Sequence, residues 1–199
     1  MKMIISVLTL LVTSASWSAE CPKRFDPSEA YVGWTAYKTT DKVGVDGRFL
    51  KTEFKGNSQG PTVAKILRGL RVSVDVSSVE TDKPARNATI LQGFFKNLAD
   101  GMKVVGSVEK VSGTDEKGTF VLDLRINGKT QAVPMSYSVN EAKQFEATGE
   151  IDILKFGARK AFGALHELCK ELHKGKDGVS KTWSDVKIVL RAPVHSSCG

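Results

Sequence analysis

The sequence predicts an all-β protein: an eight-stranded antiparallel barrel with one or two short helices. Three observations carry this. Apolar and polar residues alternate along most of the chain, which puts one face of each segment in a core and the other in water. Only two stretches abandon that period of two for spacings of three and four. Asn127-Gly128, set between two alternating segments, supplies the consecutive positive-φ residues that a type I′ hairpin turn needs. A sheet with one dry face must also hide its edges, and eight strands suffice to close it on itself.

Residues 1–19 stand apart. Lys2, the apolar run Ile4–Val12 and the small and polar residues Thr13–Ala19 form the three-part pattern of a secretory signal peptide. The apolar run is too short to span a bilayer. Glu20 stands where a lipoprotein signal needs a small residue, which argues against a lipid anchor at Cys21. Residues 20–199 then form one domain, expected in the periplasm.

The first strand is Tyr31–Tyr37 and the second Val45–Phe54, ended by the polar turn Lys55–Pro61. Thr62–Leu67 leads into Arg71–Val79, where Val72, Val74 and Val76 alternate with polar residues. Ala88–Leu98 is the first helix, with Ile90, Leu91, Phe94, Phe95 and Leu98 on one stripe. Strands resume at Met102–Val111, Phe120–Ile126, Gln131–Val139 and Phe145–Ile153. A second helix covers Ala158–His173, and Trp183–Ala192 is the last strand.

The chain is 41% hydrophobic and 26% charged, an ordinary globular balance. Its net charge of +7 suits either a lysine-rich soluble surface or transient contact with an anionic membrane. No basic run interleaves with aromatics, so nucleic acid is not an expected partner. Nothing in the sequence sets the oligomeric state; a homodimer is one option.

Catalytic patterns are absent. His166-Glu167 begins a zinc-protease motif, but Lys170 occupies the position of its second histidine. No Gly-x-Ser-x-Gly elbow or phosphate loop occurs. His166, Cys169 and His173 share a helical face. The outer two lie about 10 Å apart along a helix rising 1.5 Å per residue, so a packed thiol is expected there rather than a metal. For the three cysteines, topology decides. In an up-and-down barrel the first strand pairs with the last, which brings Cys21 and Cys198 to one end as a disulfide and leaves Cys169 unpaired.

The inward candidates are Val74, Val76, Leu122, Leu124, Val133, Met135, Tyr137 and Phe145. A barrel of eight strands is either filled by such side chains or wide enough for one small ligand. Alternation alone leaves both open.

Several motifs resemble the YceI-like family of periplasmic polyisoprenoid-binding proteins. Val43–Phe49 is similar to its "VxGxF" strand, and Phe94-Phe95 to its double-Phe helix end. Leu124–Val133 looks like its "LTIxGxTxxV" hairpin, and Phe156-Gly157 like its "FG" pair. Val74–Thr81, Arg86-Asn87 and Val186–Leu190 extend the likeness over nearly all of residues 20–199. The resemblance implies a lipocalin-like barrel that binds and shields or transports a polyisoprenoid, quinone or fatty-acid derivative. It implies no cofactor and no catalysis. Phe94 and Phe95 join the lining candidates. Arg86 is the candidate contact for a phosphate head group, since a guanidinium pairs with it bidentately; Tyr137 offers a hydroxyl. An enzyme acting on a lipophilic substrate and a filled, ligand-free barrel are the alternatives. Two departures stand out: Asn87 replaces the family's usual Asp, and the second helix is longer than is typical.

Overall fold

A computed structural model of the chain describes residues 21–100 and 102–196. Twelve strands form one antiparallel system. They are β1 (Lys23–Phe25), β2 (Tyr31–Lys38), β3 (Val43–Phe49), β4 (Thr52–Lys55), β5 (Gln59–Gly60), β6 (Arg71–Asp75) and β7 (Val79–Glu80), followed by β8 (Lys103–Gly113), β9 (Lys117–Ile126), β10 (Lys129–Val139), β11 (Gln144–Asp152) and β12 (Thr182–Ser196). Three α-helices intervene: α1 (Val63–Leu67), α2 (Pro84–Gly93) and α3 (Arg159–Cys169).

Pairing runs β4-β6-β8-β9-β10-β11-β12-β2-β3-β7. The path returns on itself because β3 and β4 are two halves of one bent strand, and so are β6 and β7. Residues 48–55 therefore pair with 71–80, in two registers: Phe49 opposite Val79, and Thr52 opposite Val74. The two-residue slip is absorbed by a 3-10 turn at Val76–Ser78. Asp75 caps that turn, accepting from Ser77 N at 3.0 Å and Ser77 Oγ at 2.6 Å. Leu50 N to Ser78 O and Asp75 N to Lys51 O, both 3.1 Å, carry the ladder across the bend. The result is the all-β, eight-stranded antiparallel barrel that alternation predicts, with the first long strand, β2, beside the last, β12.

Local chemistry corrects several boundaries. Thr62–Leu67 is helical: Thr62 caps it, and Val63, Ile66 and Leu67 are fully buried at helical spacing. The first long helix starts at Pro84, not Ala88, because proline is favoured at the first helical position. It ends at Gly93, and Phe95–Asn97 continue as a 3-10 turn. The second helix stops at Cys169; a 3-10 turn at Glu171–His173 follows. The Asn127-Gly128 hairpin has the predicted form, with φ of +54° and +76°.

The barrel's two ends differ. One is sealed by β1, α1 and an aromatic stack: Phe25 and Phe145 centroids lie 5.1 Å apart, Phe145 and Tyr137 5.6 Å, Tyr137 and Phe120 6.4 Å. At the other end α2 and α3 pack together over the barrel mouth. The expected signal peptide and Cys198 lie outside the described residues. Cys169 is free and buried.

Candidate ligand-binding site

Between the aromatic seal and the helices the barrel encloses a cavity of about 590 Å³. Its walls are inward positions of the alternating strands. On β2 and β3 these are Trp34, Ala36, Val45 and Phe49, set by the pairs Trp34 opposite Gly47 and Ala36 opposite Val45. Gly47 is required there: the Trp34 ring lies over it, and a Cβ at that position would come within 2.2 Å of Trp34 Cζ2. The Val45-x-Gly47-x-Phe49 pattern thus builds one wall of the cavity, with the glycine making room for the indole.

Seven of the eleven ligand candidates line this space: Val74, Arg86, Phe94, Phe95, Leu122, Leu124 and Met135. Four do not. Val76 is fully buried where the β6–β7 strand bends, and Val133 is core. Phe145 belongs to the aromatic seal. Tyr137 is in the same seal, and its hydroxyl donates to the Thr114 carbonyl at 2.7 Å, so it does not face a ligand head group. Alternation correctly turned these four inward. It says nothing about depth along the barrel, and depth separates plug from cavity.

Besides the β2 and β3 wall, which is absent from the sequence candidates, the lining includes a part from α3 and the start of β12: Phe162, Leu165, Cys169, Thr182 and Trp183, with His173 from the 3-10 turn. Because the helix breaks after Cys169, two histidines expected to lie far apart converge. His166 Nδ1 is 2.9 Å and His173 Nδ1 2.7 Å from Thr182 Oγ1. The hydroxyl has one proton to give, so at least one imidazole donates to it. Burial holds His173 below its ordinary value, with Lys38 and His166 adding to the effect. Burial also pushes the Cys169 thiol up, which keeps it protonated and slow to react. Among the described residues no group of three or more His, Cys, Asp or Glu is arranged to hold a metal.

Asn87 explains one departure from the expected pattern. Its Oδ1 accepts from Thr81 N at 2.9 Å and Thr81 Oγ1 at 2.6 Å, while its Nδ2 donates to Glu80 Oε1 at 3.1 Å. A carboxylate could accept from Thr81 but could not donate to Glu80 and would repel it. The amide therefore ties the start of α2 to β7 and sets Arg86 at the cavity mouth. The same bond is the main reason the Glu80 carboxyl sits below its usual range.

Charge is confined to the helix end. The only charged side chains on the lining among the described residues are Lys38, Lys83 and Arg86, with His173 beside them; no Asp or Glu contributes.

The YceI-like domain matches residues 24–192, nearly the whole described barrel. The chain belongs to the YceI-like family. Solved structures share the YceI-like fold at low identity. A polyisoprenoid-binding domain from Saccharophagus degradans superposes with a TM-score of 0.57 at 12% identity, over 87% of this chain and 98% of that one. BcnA of Burkholderia cenocepacia gives 0.56 at 16% identity, over 86% and 99%. The YceI protein of Campylobacter jejuni gives 0.52 at 17%, over 79% and 87%. No curated protein matches the chain.

Proposed function

We propose that this protein binds one long-chain lipophilic molecule, an isoprenoid, quinone or acyl lipid, in the upper half of its barrel and shields it from water during transport through the periplasm. The observation that carries this is the apolar cavity of about 590 Å³ above a sealed floor. An apolar cavity of about 150 Å³ holds one benzene, so this one has room for roughly 20–25 carbons. Burying a methylene gains about 0.8 kcal/mol, so the tail alone offers well over 10 kcal/mol before ordering costs. Membership of a family with a polyisoprenoid-binding relative agrees with a lipid ligand.

The mouth suits loading from a membrane surface. Leu168 and Leu172 on the helix side and Val43 on the β2–β3 side are exposed at 60%, 72% and 47%. Lys42 and Lys181 flank the Trp183 ring at 5.1 Å and 4.2 Å. Exposed apolar groups among lysines favour transient contact with an anionic bilayer.

We also propose that Cys21 and Cys198 are joined. The β1–β12 register, which pairs Lys23 with Ser196 and Arg24 with His195, supports this: in the sequence Cys21 precedes Lys23 by two residues and Cys198 follows Ser196 by two. The third cysteine is free and buried at the other end.

A chain-length series tests the carrier reading. Straight-chain and isoprenyl probes are titrated while the fluorescence of Trp34, in the cavity wall, is followed. Affinity should rise about fourfold per added carbon and level off near 20–25 carbons. No binding at any length refutes the proposal.

A further inference from the structure

We infer that the ligand carries an anionic head group, a carboxylate or phosphate, held at the cavity mouth by Lys38, Lys83 and Arg86. The inference rests on the carrier reading and adds the polarity and orientation of the ligand to it. Three observations combine. The cavity is lined almost wholly by apolar side chains, so its occupant is mostly hydrocarbon. All three charged side chains that reach the lining are cationic, and all three lie at the helix end, so charge is available at one terminus of the occupant only. None of the three has an ion-pair partner among the described residues, although nine other pairs form on the surface.

The placement of Lys83 and Arg86 is locally unfavourable. They stand at the N-cap and in the first turn of α2, where the helix dipole disfavours cations, and that turn contains no acidic residue. Arg86 is moreover only half exposed, and the Asn87 bonds to Thr81 and Glu80 hold this turn against β7. Although Glu80 accepts from Asn87 beside this turn, no carboxylate reaches the lining, so an anion seated at the mouth meets only cations. The head group stays at the rim, where water and three donors reach it, and the tail points to the aromatic floor. A neutral head group leaves the three cations unrelieved and gains less.

The test compares probes matched in tail: oleate with oleamide, and geranylgeranyl phosphate with geranylgeraniol. Each is titrated by Trp fluorescence into the wild-type protein and into the Lys38→Gln, Lys83→Gln, Arg86→Gln triple variant. These side chains are exposed or half exposed, so the fold should survive their neutralisation. At low salt an anionic probe should bind the wild type about tenfold more tightly than its neutral partner, a gap that narrows as salt rises. The triple variant should lose that gap, binding the charged and neutral partners of each tail about equally. The pair with the larger gap identifies the head group as carboxylate or phosphate. Equal binding of charged and neutral partners in the wild type overturns this inference alone. So does a gap that survives in the triple variant. Failure of every probe to bind removes the carrier reading and this inference with it.

Discussion

Ala36→Phe separates a cavity from a filled core, because the two give opposite signs. Ala36 points inward near the mouth, opposite Val45, and lines the open space. A phenyl ring needs about the room of a benzene, roughly 150 Å³. That is about a quarter of the 590 Å³ present. A ligand tail then loses about a quarter of its room, some six carbons, and at about 0.8 kcal/mol each nearly 5 kcal/mol of binding. Affinity should fall by about three orders of magnitude. The empty protein should gain, since the ring leaves water for apolar space without displacing neighbours, by up to about 2 kcal/mol. The melting temperature of ligand-free protein should therefore rise by several degrees. Calorimetry of stripped protein and a titration with a 20-carbon probe read both effects. In a filled barrel the ring overpacks the core and costs about 1–3 kcal/mol. A lowered melting temperature, or unchanged affinity, would rule out an open, ligand-holding cavity at Ala36.

Three further outcomes follow from particular contacts. Tyr137→Phe removes the bond to the Thr114 carbonyl in the sealed end, so it should cost about 1 kcal/mol in denaturant unfolding and leave probe affinity unchanged; weakened binding would mean that the tyrosine meets the ligand. The folded His173 imidazole titrates below the unfolded one, so the unfolded chain takes up the proton first; stability is whole above pH of about 6.5, declines as pH falls below it, and should decline less in His173→Gln, as melting temperatures between pH 7.5 and 5 will show. In unreduced protein a maleimide should label Cys169 alone, slowly and more slowly still with ligand bound, and peptide mapping should find Cys21 joined to Cys198; a label on Cys198 would contradict the pairing.

The barrel was legible because its cause is local. Alternation from Val72 to Leu190 reports which face of each strand is dry, and Asn127-Gly128 reports a hairpin directly. The bend at Leu50–Lys51 was not, since the slip between β3–β7 and β4–β6 is a property of two strands together. The short helix Val63–Leu67 was missed because a five-residue apolar run has no period of its own; its Thr62 cap was the available signal. In the site, Val74, Leu122, Leu124 and Met135 were found from alternation, while Tyr137 and Phe145 were placed on the right face at the wrong depth. The meeting of His166 and His173 on Thr182 needed knowledge of where the helix breaks, and no residue pattern near Cys169 announces it.

Native mass spectrometry of the protein taken from its own cells, followed by solvent extraction, shows whether the barrel carries a lipid. The protein should carry one bound molecule per chain, released by organic solvent, with a tail of no more than about 25 carbons. Protein that arrives empty, and that stays empty after exposure to acyl and isoprenyl probes, would contradict the carrier reading.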